Sequence, residues 1–66
     1  MPATDIQLEE TEVQRIERWR AEELERAGYP ARDAERLAGR HDVDLHFAVR
    51  LIERGCSPEL ALQILL

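Results

Sequence analysis

The chain has 66 residues, with 14 acidic and nine basic side chains and a formal net charge of −5. That length suits one domain with a modest core, and 35% charged with 44% hydrophobic residues fits a folded, heavily solvated helical chain rather than a disordered one. No apolar run approaches the ~18 residues that a membrane span needs, and the acidic balance disfavours phosphate backbones and anionic lipid surfaces while permitting a basic protein surface.

Met1-Pro2-Ala3-Thr4-Asp5 has no basic segment leading into an apolar one, so a secretory signal is not expected there. Cys56 is the single cysteine, which excludes an internal disulfide and fits a reducing cytoplasm. All nine basic residues are arginine, a bias that suggests a GC-rich bacterial genome. Residues 1–10 are expected to form a tail, and 11–66 a single helical domain.

Thr11-Glu12-Val13-Gln14 matches a capping box and opens the first predicted helix; Thr4-Asp5-Ile6-Gln7 has the same pattern and would allow an earlier start. At helical spacing Val13, Ile16, Leu24 and Ala27 share a stripe. Arg20 falls within it, with a stem that can cover apolar surface while the guanidinium reaches water. Trp19 lies on the flank, in line with Leu8. Gly28 stops this helix and Tyr29-Pro30 cannot simply continue it. A second helix is expected from Ala31 to Ala38, with Ala34, Leu37 and Ala38 inward and Gly39 closing it. Asp42 or Asp44 caps a third, which runs to about Arg54 with Leu45, Ala48, Leu51 and Ile52 inward and Phe47 at the edge. Gly55 stops it. Ser57-Pro58-Glu59 then supplies a serine cap, a proline at the first helical position and an acid at the positive helix end for a fourth helix.

One pattern occurs twice. Leu24, Gly28, Ala34 and Leu37 are echoed 27 positions later by Leu51, Gly55, Ala61 and Ile64. The reading is a helical corner used twice, since solenoid arrays need about three repeats or more.

Residues that could carry chemistry are few. His41 and His46 are five apart and straddle a cap, a poor spacing for two ligands on one helix face. Asp42 and Asp44 read as caps, and Cys56 as a small, partly buried loop residue. The isolated glycines form no phosphate-binding loop. No catalytic, cofactor-binding or metal-ligating set is expected, and the chain does not read as an enzyme.

Ala27-Gly28-Tyr29, Ala34, Leu37, Asp42-Val43, Ala48-Val49 and Leu51-Ile52 together resemble the signature of ubiquitin-associated (UBA-like) domains. The match covers Leu24 to Ile52, less than half the chain, with alanine where the family's loop begins with methionine. The resemblance implies a compact three-helix core and a protein-binding face formed by Ala27, Gly28, Tyr29, Leu51 and Ile52. Ala34 to Gly39 followed by the third helix is also similar to a helix-turn-helix, which would turn His46, Arg50 and Arg54 toward DNA beside the repelling Asp42, Asp44 and Glu53.

The C-terminal stretch Leu60 to Leu66 is apolar nearly all round. A helix against a small bundle hides one side, so Leu60, Ala61, Ile64 and Leu65 are expected inside, with Leu62 and Leu66 outside. The sequence thus points to an all-α domain of four helices, a UBA-like core plus a short C-terminal helix. It is expected to act as a protein-binding adaptor or regulator, anchored by Trp19, Tyr29, Leu62 and Leu66, with another protein or its own copy as partner. A DNA-binding regulator is the alternative.

Overall fold

A computed structural model describes residues 11–66. It contains four helices: α1 (Glu12–Ala27), α2 (Ala31–Gly39), α3 (Leu45–Glu53) and α4 (Pro58–Leu65), with no strand among the described residues. The expected tail at 1–10 and the alternative start at Thr4 lie outside the described residues.

The helix ends follow their local chemistry. The Thr11 hydroxyl accepts from the Gln14 amide (3.1 Å), and the Gln14 side chain accepts from the Thr11 amide (3.0 Å), closing the capping box. Asp44, rather than Asp42, caps α3, its Oδ1 accepting from the His46 amide at 2.9 Å. Ser57 caps α4 through the Leu60 amide at 3.2 Å. Gly28 and Gly55 take φ of 131° and 96°, where L side chains are strained. Gly39 behaves differently from the other two. It is the last residue of α2 without a positive φ, and Arg40 takes the cap position, its amide donating to the Leu37 carbonyl at 3.1 Å.

α1 packs against both α2 and α3, and α4 packs against α3. Among the described residues, five of the ten that are buried are alanines: Ala21, Ala34, Ala38, Ala48 and Ala61. Small side chains let helices approach closely but bury little area each. Leu24 and Leu37 are the large side chains with no exposure, and truncating either to alanine should cost about 2–5 kcal/mol.

Arg20 departs from expectation. Its guanidinium does not reach for water. It donates to the carbonyls of Ala38 (3.3 Å), Arg40 (3.3 Å) and Val43 (2.8 Å), fastening the α2–α3 connection onto α1. A planar fork with several donors suits such a job, because those carbonyls have no helical partner of their own. Beside this clamp a His41 ring nitrogen lies 2.7 Å from the Glu17 carboxylate.

Candidate functional site

Tyr29 is not on the surface. It is 3% exposed, and its hydroxyl donates to the Ala48 carbonyl at 2.7 Å. The reason is the way α1 ends. The Gly28 amide donates to the Glu25 carbonyl (3.0 Å) and the Tyr29 amide to the Leu24 carbonyl (3.1 Å). This closure characteristically folds the residue after the glycine back over the last turn. Burial pushes the phenol above its ordinary pKa. Tyr29 is therefore a core anchor, not an exposed contact.

The other residues of the expected loop face do converge. A Cβ added to Gly28 would sit 3.2 Å from Ile52 Cγ2, so the loop and the end of α3 are in close contact. Ala27, Leu51 and Ile52 are half-buried and Gly28 is exposed. Glu23, Arg26 and Ala27 of α1 and Val49 and Glu53 of α3 line a hollow of about 230 Å³ next to this contact. Glu23 and Arg26 form an ion pair on its rim.

α1 continues this surface away from the loop. Ile16, Trp19, Glu23 and Ala27 fall within roughly 80° of arc on a regular helix. Trp19 is 53% exposed and Ile16 46%, and Val13 beside them is 51% exposed. The sequence places Val13 and Ile16 on the core stripe, but α1 has 16 residues and its neighbours α2 and α3 have nine each. The shorter helices run out before the first turns of α1, and its apolar stripe continues past the Arg20 clamp uncovered by them. The helix lengths, implicit in the cap positions, are the signal that would have revealed this.

α4 is rotated relative to expectation. Ala61 is fully buried, with Leu62 and Leu65 packed against the core, while Leu60 (50%), Ile64 (52%) and Leu66 (43%) are exposed. Leu62 thus does not point outward as expected, whereas Leu66 is exposed. Ala61 sets the rotation: seated in the close contact, it brings Pro58, Leu62 and Leu65 round with it at i, i+3, i+4 and i+7 spacing.

An open groove of about 480 Å³ between α1 and α2 went unforeseen. Glu17, Glu22, Glu25 and Glu35 line it around Ala21 and Ala38. On α3, His46, Arg50 and Arg54 are exposed, as are Asp42, Asp44 and Glu53. Among the described residues no three His, Cys, Asp or Glu side chains are grouped to hold a metal ion, and no helix is long and apolar enough to cross a membrane. No family model matches the chain, and neither the curated proteins nor the solved structures contain a match to it. The fold and site define a small all-α domain with apolar side chains left exposed on α1 and α4 and, at Phe47, on α3.

Proposed function

We propose that this domain is a protein-interaction module whose partner docks along the outer face of α1 and into the hollow against α3. The observation that carries this reading is the line of half-exposed apolar side chains, Ile16 and Trp19 above all, leading toward the Ala27–Gly28 turn and Ile52. Aromatic side chains of this kind dominate binding energy when a partner desolvates them. Glu53 at the hollow, where Arg26 already pairs with Glu23, on a chain of net charge −5, favours a partner segment that combines an apolar anchor with a basic residue. The UBA-like resemblance supports the same end of the bundle, through Ala27, Gly28, Leu51 and Ile52, with Tyr29 acting from beneath as the support of that turn.

The test is capture from a lysate with the full chain as bait, with and without nuclease, followed by mass spectrometry. One protein retained in both arms, and lost with Trp19→Ala, is the expected result. Trp19→Ala should weaken the complex by about 2 kcal/mol, a factor of about 30. Capture that disappears on nuclease treatment and in Arg50→Ala would replace this reading with DNA binding through α3.

A further inference from the structure

The two halves of the chain close their corners in the same way. At the first, Gly28 donates to Glu25 and Tyr29 to Leu24; at the second, the Gly55 amide donates to the Ile52 carbonyl and the Cys56 amide to the Leu51 carbonyl, both at 2.9 Å. Six residues after each glycine an alanine, Ala34 or Ala61, is fully buried. One turn further on, the halves part. Leu37 has no exposure, yet Ile64 at the matching position is 52% exposed, and Leu60 one turn before it is 50% exposed. Among the described residues the first corner is covered by the rest of the fold, and the second is not.

Charge decides what can cover it. Between Gly55 and Leu66 the one charged side chain is Glu59. The other three helices all carry charged side chains in solvent, including Glu12, Arg15 and Glu22 on α1, Arg32 and Glu35 on α2, and Arg50 on α3. Two copies of a chain with net charge −5 repel each other, so they meet with least cost where charge is sparsest. A partner selected by its charge has almost nothing to recognise on α4.

We infer that the Leu60–Ile64 ridge of α4 is a homotypic contact, packing on the same ridge of a second copy about a two-fold axis. Leu60 and Ile64 lie i, i+4, and ridges of that spacing interdigitate between crossed helices. A two-fold axis makes one ridge complementary to itself. The area limits the strength. α4 has eight residues, a length of about 12 Å, and a few half-exposed side chains fall well short of the ~800 Å² per partner of a standard interface. The dimer therefore has a dissociation constant of about 10 μM or weaker and falls apart on dilution below it. Its salt dependence is distinctive. Screening removes the repulsion between the acidic copies and leaves the apolar contact, so added salt strengthens the dimer, whereas it weakens the charge-assisted complex proposed for α1.

Sedimentation of the full chain from about 1 μM to about 1 mM, at ~0.01 M and ~1 M sodium chloride, tests this. Expected are a monomer–dimer equilibrium that moves at least several-fold toward dimer at high salt, and a monomer throughout in Ile64→Glu with its helical circular dichroism retained. If that variant loses helicity, Ile64→Gln serves in its place. On the unmodified chain, amide shifts that change on dilution should cluster at Leu60, Gln63 and Ile64. A chain monomeric at 1 mM in high salt overturns the inference, as does a dimer that salt dissolves, or dilution shifts centred on Val13 to Trp19. A chain that stays monomeric, or a dimer that salt dissolves, leaves capture of a partner through Trp19 standing, so the two proposals can fail separately.

Discussion

An added methyl group separates the three glycines. At Gly28 it meets both a positive φ and Ile52 at 3.2 Å; at Gly55 it meets a positive φ alone; at Gly39 it meets neither. Gly28→Ala should therefore destabilise the fold by about 2–3 kcal/mol and Gly55→Ala by about 1–2. Gly39→Ala should be neutral or stabilise by up to ~1 kcal/mol, because alanine is the better helix former. Urea unfolding of the three variants, read at the midpoint, checks the order. Tyr29 gives a second residue-scale expectation. Its pKa in the folded state is raised, so the native form keeps a proton that the unfolded chain releases above pH 10.0. Stability from this group is complete below that pH and is lost as pH rises through the folded value. Tyr29→Phe should flatten that alkaline loss and cost about 1 kcal/mol at neutral pH for the missing bond to Ala48. The glycine stops were legible in the sequence because a backbone conformation and a residue type are tied. The inward turn of Tyr29 was not, since it follows from a closure whose geometry joins residues on both sides of Gly28.

At the scale of elements, the capping signals at Thr11, Asp44 and Ser57 placed three helix starts, because each satisfies amides that the first turn leaves without partners. Asp44→Ala and Ser57→Ala should each cost about 1 kcal/mol. Faces were harder to read than ends. α4 is apolar nearly all round, so its hydrophobic pattern leaves the rotation undetermined, and the close seat of Ala61 settles it. α1 shows the complementary failure, with a clear stripe whose covering helices are too short. The predicted solvent role of Arg20 missed that an arginine can satisfy the carbonyls of a connection. Arg20→Met keeps the apolar stem but removes the donors to the Ala38 and Val43 carbonyls, while the Arg40 carbonyl keeps its bond from the Val43 amide. It should destabilise by about 1–3 kcal/mol, and Arg20→Lys, with one point of attachment, should recover little of it. Thermal unfolding of the pair separates the fork from the charge.

At the scale of the molecule, ten buried residues among those described, half of them alanine, make a small core, and domains of this size retain few kcal/mol of net stability. Apolar side chains nevertheless remain in solvent on α1 and α4, besides Phe47 on α3, and the α1 and α4 faces differ in electrostatic character. The face with Trp19 is bordered by the ion pairs Glu12–Arg15 and Glu23–Arg26, and that with Ile64 is nearly uncharged. This division is the central claim, one face for a partner and one for a copy. Capture from lysate with three baits, the unmodified chain, Trp19→Ala and Ile64→Glu, tests it most directly. Expected are the same nuclease-resistant protein on the unmodified chain and on Ile64→Glu, and its loss from Trp19→Ala with the fold intact. Retention by Trp19→Ala, or loss from Ile64→Glu alone, would contradict it.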